Sequence, residues 1–290
     1  MNKIGIYYAY WEHNWAADLL SYPQRVARLG FEILEIKLSV VLAMTERQRR
    51  KLKHEAQAHG IGLTFCEALD SQIDISSPRP ATRKRGIEYL KRGLDTVHKM
   101  GGYLLGGILY GAWNLPAVEG MHKAERLMWS VESMRHVLKT AEDVGVICAI
   151  EPVNRFEHFM LNTCAEALEY IKMVESPNLG ILLDTFHMNI EEDDIYKAIV
   201  SAGKNLVHMH VGEPNRKLPG QGRFPWQELL RALRFINYEG AIVMEPFVQV
   251  GGEIGLDIKV WRDLARGQDL DEAAQQSLRF LRALLKLSEF

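Results

Sequence analysis

The 290-residue chain has few cysteines, almost no net charge and no long apolar run. No segment approaches the roughly 18 apolar residues of a membrane-spanning helix. The first residues lack the apolar core and cleavage site of a secretory signal. We therefore expect neither a membrane-spanning helix nor a secretory signal. Lys and Arg sum to 35 against 37 Asp and Glu, a balance that excludes the basic footprint of a general nucleic-acid binder. The three cysteines, without a CxxC pair, predict reduced thiols and a cytoplasmic location.

Eight short apolar segments recur along the chain, and a longer segment of helical character follows each of them. The segments are nearly continuous in apolar character, as strands covered on both faces are. They comprise residues 4–8, 31–36, 62–66, 103–109, 146–151, 179–184, 206–210 and 241–245. Eight such units predict an α/β protein, a (β/α)8 TIM barrel, in a single domain over residues 1–290. An open doubly wound sheet is the alternative, but the first strand lacks the GxGxxG of its dinucleotide-binding form.

Residues typical of helix ends fall between the predicted strands. Thr45 and Gln48 have the spacing of a capping box before a helix that Gly60 closes. We predict further helices over residues 81–100, 124–144, 164–174 and 225–236. Residues 271–290 are predicted to form an extra C-terminal helix that packs back on the barrel. Its apolar face carries Leu278, Leu281 and Leu285.

Four successive predicted strands end in a side chain that can bind a metal, and these are Glu151, Asp184, His210 and Glu245. Because barrel active sites lie where strands end, we expect the four groups to converge on one ion. Three carboxylates and an imidazole suit Mn²⁺, Mg²⁺ or Co²⁺ better than a thiolate-rich zinc site does. A divalent cation would also relieve the repulsion between the carboxylates. The alternative for each acid is a helix cap or an ordinary ion pair.

Further polar residues lie close to these strand ends. His208 lies two residues before His210, so it points the same way one layer deeper, and we interpret it as a packed, hydrogen-bonded residue rather than a ligand. The other polar residues could bind the hydroxyl groups of a polyol. They are Asn154, Arg155, Glu157, His187, Glu213, Asn215 and Arg216. For Arg155 and Arg216 the alternative is an ordinary salt bridge. The acidic run 191–194 is interpreted as the cap and first turn of the next helix.

Aromatic residues gather around the first strand and follow two of the others. Tyr7 and Tyr8 should face opposite ways, since they are adjacent on a strand. Some of the rings could line the mouth of the barrel and exclude water, and plain core packing is the alternative. The candidates for this wall are Tyr7, Trp15, Trp113 and Phe247.

Six short sequence motifs contain many of these candidate residues. They are GIYY at 5–8, YWE at 10–12, NRFE at 154–157, LDTFHMNIEE at 183–192, MEPF at 244–247 and KVWR at 259–262. Together they resemble the ketose 3-epimerases, the family of the D-tagatose and D-psicose (D-allulose) 3-epimerases. The segment 183–192 is the most specific of the six, and the resemblance extends to about residue 264.

The resemblance implies a xylose isomerase-like barrel that uses Mn²⁺ or Co²⁺ and forms dimers or tetramers. It implies that Glu151, Asp184, His210 and Glu245 bind the metal, and that Glu151 and Glu245 are the acid/base pair. It also implies that Glu157, His187 and Arg216 contact the O1–O3 end of the sugar. The chain departs from the family at residues 35–38 and 65–70, where small or glycine-rich sequences are usual. Both segments border the predicted mouth, so the preferred ketose stays open.

These residues support a metal-dependent epimerase that inverts C3 of free ketoses. The candidate substrates are D-psicose/D-fructose, D-tagatose/D-sorbose and L-ribulose. A proton must leave one face of C3 and return on the other, so Glu151 and Glu245 would flank a metal-stabilised cis-enediolate. The same barrel superfamily offers an aldose–ketose isomerase, a hydroxypyruvate isomerase or an inosose dehydratase as alternatives. A non-catalytic sugar-binding protein is a further alternative, whereas we expect neither a nucleic-acid nor a membrane partner.

Overall fold

A computed structural model describes residues 2–115 and 122–287 of the chain. Eight parallel strands close into a barrel in chain order, β1 pairing with both β2 and β8. The strands are β1 (Ile4–Tyr7), β2 (Ile33–Lys37), β3 (Gly62–Leu69), β4 (Leu104–Ala112), β5 (Ile147–Ile150), β6 (Leu179–Asp184), β7 (Leu206–Val211) and β8 (Ile242–Met244). The predicted barrel is therefore confirmed, and the open doubly wound sheet is wrong.

Helices cover the outside of the barrel. The described helices are α1 (Tyr22–Leu29), α2 (Leu38–Ala43), α3 (Glu46–Ala58), α4 (Pro80–Lys99), α5 (Lys123–Val144), α6 (Cys164–Val174), α7 (Thr185–Glu191), α8 (Ile195–Ala202), α9 (Trp226–Phe235), α10 (Gly252–Asp257) and α11 (Leu270–Leu287). The capping box of α3 forms as predicted, because Thr45 Oγ1 accepts from the Gln48 N–H and Gln48 Oε1 accepts from the Thr45 N–H. None of the described helices combines the length and apolarity that crossing a bilayer requires.

The strand ends differ slightly from the predicted ones, and the difference places the candidate ligands. β5 and β8 end one residue early, so that Glu151 and Glu245 each follow a strand directly. Both keep one further ladder hydrogen bond: the Glu151 N–H donates to Gly107 O and the Glu245 N–H to Val211 O. Their backbones are thus held by the sheet while their side chains are free to enter the mouth of the barrel.

β3 and β4 are longer than predicted, and a bulge near their ends brings Gly107 against the neighbouring strand. The φ of Gly107 is +110°, and a Cβ at this position would lie 2.2 Å from Glu67 O. Only glycine meets both conditions without displacing the β3 backbone. Gly107 therefore sets the path of the two strands that form one side of the mouth.

The C-terminal helix packs on the barrel as predicted. Leu278 and Leu281 are buried, whereas Leu285 is half-buried. At its start, Asp271 accepts a hydrogen bond from Trp11 Nε1 and forms an ion pair with Arg25 at 2.8 Å. These contacts fasten α11 to the segment that follows β1.

Candidate active site

Two of the four predicted metal ligands, Glu151 and Glu245, line one cavity at the carboxyl ends of the strands, and the other two, Asp184 and His210, lie beside them. His210 Nδ1 lies 3.8 Å from Glu151 Oε1 and 3.6 Å from Glu245 Oε2. Asp184 lies on the other side of Glu151, together with His187. The structure therefore contains two overlapping triads that share Glu151. One consists of Glu151, His210 and Glu245, and the other of Glu151, Asp184 and His187.

Asp184 caps a helix and also points an oxygen into the cavity. Its Oδ1 accepts from the Phe186 N–H at 3.0 Å and so caps α7. Its Oδ2 is buried and has no hydrogen-bond partner among the described residues. The helix-cap alternative is thus correct for one oxygen, while the other keeps its lone pairs free for a ligand.

Glu35, in the middle of β2, fixes the orientation and protonation of His210. Glu35 is completely buried and accepts from His210 Nε2 at 2.5 Å, from His208 Nε2 at 2.7 Å and from Thr64 Oγ1 at 2.8 Å. Burial favours the neutral carboxyl, but the neighbouring His210 and His208 outweigh it and hold the pKa of Glu35 well below its usual value. A carboxylate only accepts, so the neutral His210 ring would carry its proton on Nε2 and turn the Nδ1 lone pair to the cavity. Burial lowers the pKa of this ring, but the charges of Glu35 and Glu245 outweigh it and raise the pKa of His210 well above its usual value.

His187 has the opposite arrangement, which separates its role from that of His210. Its Nδ1 accepts from the backbone N–H of Asn154 at 3.1 Å, a group that can only donate. The proton of the neutral ring therefore lies on Nε2, which faces Asp184 Oδ2 and Glu151 Oε1 at 3.7 and 3.8 Å. His187 thus offers a hydrogen-bond donor to the cavity, whereas His210 offers a lone pair.

The donor set fits a hard divalent cation. Glu151 is common to both triads, so the three carboxylates and the Nδ1 of His210 lie close together, and both His210 Nδ1 and Asp184 Oδ2 lack hydrogen-bond partners among the described atoms. Burial, together with the charges of Glu151 and Asp184, raises the pKa of Glu245 well above its usual value. The site thus needs positive charge, either from protons or from a cation. Oxygen ligands with one imidazole suit Mn²⁺, Co²⁺ or Mg²⁺.

Glu157 and Arg216 form a polar wall beside this cluster. Arg216 Nη2 lies 3.3 Å from Glu157 Oε1, and Arg216 Nη1 lies 3.6 Å from Asp184 Oδ2 and 3.7 Å from Glu245 Oε2. Burial alone would raise the pKa of Glu157, but the nearby His187 and Arg216, with hydrogen bonds from Trp113 and Asn154, lower it to about 2. Glu157 is therefore an anion across the physiological pH range.

The guanidinium of Arg216 is held rigidly. Its Cζ lies 3.5 Å from the centroid of the Phe186 ring, a cation–π contact. The backbone φ of Arg216 is +63°, in the left-handed region that non-glycine residues rarely adopt. Nε and Nη1 are buried without hydrogen-bond partners among the described residues. Strained backbone and unused donors at one residue are typical of a ligand-binding position.

The predicted aromatic residues line the same cavity. Tyr7, Trp15, Trp113 and Phe247 all contribute to its wall, with Phe247 packed edge-on against Tyr7 and Trp15. Tyr8 faces away, as predicted: it starts a short 3-10 helix, and its hydroxyl donates to Trp15 O at 2.6 Å. Trp113 Nε1 donates to Glu157 Oε2 at 2.8 Å, so this ring also orients a polar group.

The two segments at which the family resemblance predicts a departure, 35–38 and 65–70, also reach the cavity. Lys37, at the end of β2, and Cys66, Glu67 and Ala68, on β3, lie in its wall opposite the Arg216 side. Glu35 and Lys37 are two residues apart and point the same way, one layer above the other. The sequence pattern marks both segments as unusual but assigns no role to Glu35 or Lys37.

Several polar residues that follow the strand ends turn away from the cavity. Arg155 is exposed and pairs with Glu191 at 2.8 Å, so its salt-bridge alternative is correct. The interpretation of 191–194 as one helix start is wrong in part, because Glu191 ends α7 and only Asp194 caps α8. Glu213 is buried and accepts from the Gly220 and Phe224 N–H groups and from Trp226 Nε1, so it holds the loop before α9. Asn215 is exposed.

His208 lies one layer below His210, as predicted, and binds Glu35 rather than the cavity. Glu35, His208 and His210 also form a triad compact enough for a metal. Their mutual separations of 2.5 and 2.7 Å are hydrogen-bond lengths, which leave no space for an ion between them. Asn154, buried beneath the cavity, donates to Glu157 and contacts His187, so it orients two of the predicted sugar contacts.

Comparison with known proteins agrees with this geometry. Residues 23–284 match the family model of the xylose isomerase-like TIM barrel. A D-psicose 3-epimerase of Ruminiclostridium cellulolyticum is 45% identical over 98% of this chain and 98% of its own. A D-psicose 3-epimerase of Agrobacterium fabrum is 42% identical over 98% and 99% of the two chains. The crystal structure of the D-psicose 3-epimerase from Clostridium cellulolyticum H10 with D-tagatose superposes with a TM-score of 0.95, at 45% identity over 98% of this chain and 99% of that chain.

The fold and the matched residues define the broad class, and the near full-length relatives define the group within it. The chain belongs to the xylose isomerase-like TIM barrel family and, within that family, to the ketose 3-epimerases, a group of isomerases.

Proposed function

We propose that this protein is a divalent-metal-dependent enzyme that inverts C3 of free ketoses. The proposed substrate pairs are D-psicose/D-fructose and D-tagatose/D-sorbose, with L-ribulose as a further candidate. The observation that carries the proposal is the placement of two carboxylates, Glu151 after β5 and Glu245 after β8, in the wall of one cavity and each within 4.0 Å of His210 Nδ1. The relatives that share this fold over nearly the full chain bear the same activity in their names.

Inversion at C3 needs two groups, because the proton leaves one face of the carbon and a proton returns on the other. One of the two glutamates removes the proton as a carboxylate, and the other donates as a carboxylic acid. The roles exchange in the reverse direction. The proton removed is adjacent to the ketone, so the electron pair left at C3 is shared with the ketone oxygen as an enediolate.

The polar wall determines which carbon meets the glutamates. Arg216 and the Nε2 of His187 present donors to the cavity, and the ionised Glu157 presents acceptors. Together they would hold O1, O2 and O3 of the sugar, which places C3 rather than C1 between the two glutamates. Positioning of this kind supplies a large part of the rate enhancement.

Glu151, Asp184, His210 and Glu245 would hold the metal. When bound, a divalent cation supplies Lewis-acid polarisation of the ketone oxygen and offsets the developing negative charge. Mn²⁺ is the proposed ion, with Co²⁺ or Mg²⁺ as alternatives, because the set contains three carboxylates and one imidazole. The Glu35–His210 hydrogen bond supports this assignment, since it leaves the Nδ1 lone pair available.

Solvent exchange tests the reaction directly. Metal-loaded protein incubated with D-fructose, D-tagatose or L-ribulose in D₂O should place deuterium at C3 and form the C3 epimer, as seen by NMR and chromatography. Deuterium at C1 alone would indicate an aldose–ketose isomerase, and binding without exchange would indicate a sugar-binding protein. Either result would overturn the proposal.

Substitution of the two glutamates tests their roles. Glu151→Gln and Glu245→Gln should each reduce turnover by at least about 10³-fold, because each removes one of the two proton-transfer groups. The matched control is Glu191→Gln, which changes a carboxylate that pairs with Arg155 outside the cavity. Near-normal turnover in either cavity variant, with folding verified by circular dichroism, would contradict the two-glutamate scheme.

Two further predictions concern the setting of the enzyme. All three cysteines, Cys66, Cys148 and Cys164, are free and buried, which supports the proposed cytoplasmic location. A homodimer or homotetramer stays a prediction from the family resemblance, and sedimentation of the metal-loaded protein tests it.

A further inference from the structure

Across the barrel from Arg216, which follows β7, two charged side chains that the proposed reaction does not use line the cavity. Lys37 ends β2, and Glu67 lies on the neighbouring strand β3. Both line the same cavity as Glu151 and Glu245. A ketose held by O1 to O3 near the metal ligands would extend its C4 to C6 end toward this pair.

Lys37 presents a cation whose charge is not neutralised by a direct partner. Its Nζ lies 3.8 Å from the centroid of the Trp15 ring, and no carboxylate of the described residues comes within 4.0 Å of it. Trp15 is itself fixed, because its indole N–H donates to Asp257 at 2.7 Å and its ring packs on Phe247. The ammonium is therefore held over an aromatic face at the cavity wall, with its N–H donors available to a ligand.

Glu67 presents the complementary acceptor. The residue is 4% exposed, and its Oε2 accepts from the Ser39 N–H at 2.8 Å and from the Tyr89 hydroxyl at 2.5 Å. Among the described residues, Oε1 accepts from the adjacent Ala68 N–H alone, at 3.1 Å. The Oε2 contacts lock the carboxylate in place, while Oε1 keeps lone pairs for a further donor.

We propose that Lys37 and Glu67 bind the terminal hydroxymethyl group of the ketose and so make the enzyme discriminate by the C6 hydroxyl. Lys37 and Glu67 face one cavity without forming a direct ion pair, so a hydroxyl between them can accept from Lys37 and donate to Glu67. A neutral hydroxyl satisfies both partners. A terminal phosphate or carboxylate would satisfy Lys37 but would be repelled by Glu67, so the pair favours neutral six-carbon ketoses over 6-deoxy, five-carbon and 6-phosphorylated ones.

The inference rests on the proposed epimerase function, and a binding assay keeps the two separable. Calorimetry measures the affinity of the metal-loaded protein for D-fructose, 6-deoxy-D-fructose and D-fructose 6-phosphate, and deuterium exchange at C3 measures kcat/KM for each. The wild-type protein should favour D-fructose over its 6-deoxy analogue by about 10- to 100-fold, the range expected when a charged group loses its hydrogen-bonded partner.

Lys37→Met keeps an unbranched side chain, one heavy atom shorter, and removes the charge. It should reduce the preference for D-fructose over the 6-deoxy sugar by about 10-fold, through a loss on D-fructose alone. Glu67→Gln should also reduce the preference for D-fructose over the 6-deoxy sugar. A rate of C3 exchange on the 6-deoxy sugar equal to that of the wild type would verify that this variant folds. Lys217→Met, which removes a cation from the loop before α9 outside this cavity, should leave the preference unchanged.

The outcomes distinguish the two proposals. Suppose that C3 exchange occurs but Lys37→Met lowers kcat/KM equally for D-fructose and 6-deoxy-D-fructose. The terminal-hydroxyl role is then wrong, while the epimerase function stands. If D-fructose binds in preference to its 6-deoxy analogue and Lys37→Met removes that preference, but no ketose exchanges at C3, the terminal-hydroxyl role stands and the epimerase function fails. Tighter binding of D-fructose 6-phosphate than of D-fructose would also overturn the role, because it would show that Lys37 binds an anion.

Discussion

Replacing Glu35 by glutamine should weaken metal binding even though Glu35 is not among the four proposed ligands. The carboxylate accepts hydrogen bonds from His210 Nε2, His208 Nε2 and Thr64 Oγ1. An amide offers one accepting oxygen and one donating NH₂ group, so it cannot accept from both histidines at once. At least one histidine must then change its tautomer or lose its hydrogen bond.

The magnitude follows from the role of the His210 ring. When the substituted amide does not accept from Nε2, the proton is free to reside on Nδ1, where it would block the lone pair that faces Glu151 and Glu245. Loss of a carboxylate that orients a metal-bound histidine lowers metal affinity by about 10- to 100-fold. We expect the same range for Mn²⁺ binding to the Glu35→Gln protein. Glu35→Leu, which removes every acceptor, should show the larger loss and lower stability, because it leaves three buried donors without a partner.

The assay is competition between metal-free protein and a chelator of known Mn²⁺ affinity. Glu67→Gln is the matched control, since Glu67 is also a buried carboxylate on an adjacent strand but binds Ser39, Tyr89 and Ala68 rather than a histidine. Its Mn²⁺ affinity should stay within about 3-fold of wild type, well below the loss expected for a metal-orienting carboxylate. An unchanged affinity in folded Glu35→Gln protein would refute the reasoning, because the His210 tautomer would then not depend on Glu35.

Two further predictions concern stability. The folded pKa of Glu157 is about 2, below its unfolded value, so its contribution is present above about pH 4.5 and is lost as the pH falls through about 2. Urea unfolding of metal-free protein between pH 5 and pH 2.5 should therefore show a steeper loss of stability for wild type than for Glu157→Gln, and equal slopes would contradict the assigned pKa. Gly107→Ala should destabilise the fold by about 2–4 kcal/mol, because its Cβ would lie 2.2 Å from Glu67 O at a positive φ, and a midpoint shift below about 0.5 kcal/mol would contradict that clash.

The sequence predicts the barrel well because each strand is buried on both faces. A strand covered by side chains inside and helices outside leaves a nearly continuous apolar run, and in β6 and β7 the candidate ligands fall at or next to the end of that run. This is why Asp184 and His210 could be located from pattern alone. The predicted ends of β5 and β8 are one residue too late, because Glu151 and Glu245 keep a ladder hydrogen bond after regular strand geometry has ended.

Glu35 was missed because its importance depends on a contact across the barrel. It lies in the middle of β2, 173 residues from His208 and 175 from His210, and β2 and β7 are not neighbours in the sheet. No local pattern links the two strands. The available signal was a carboxylate inside an otherwise apolar strand, a position that requires buried donors. For Lys37 the sequence indicates only a departure from the family pattern. The position of its ammonium depends on the Trp15 ring, which a hydrogen bond to Asp257 of α10 holds in place.

Because side chains alternate along a strand, Glu35 and Lys37 point the same way from β2 but lie at different depths. We infer that one acts on the proposed metal site and the other on the preference among sugars. Glu35 and Lys37 face the same interior, but Glu35 belongs to the deeper layer that contacts His210, and Lys37 belongs to the upper layer that lines the cavity, where we propose that it binds the far end of the sugar. Lys37→Met should therefore change sugar preference without changing Mn²⁺ affinity, and Glu35→Gln should do the reverse. The double variant should combine both losses additively, since the two side chains share no hydrogen-bond partner. Strong non-additivity in Mn²⁺ affinity would show that the two layers are coupled. Additivity would support the separation of the proposed sugar contact at residue 37 from the proposed metal site.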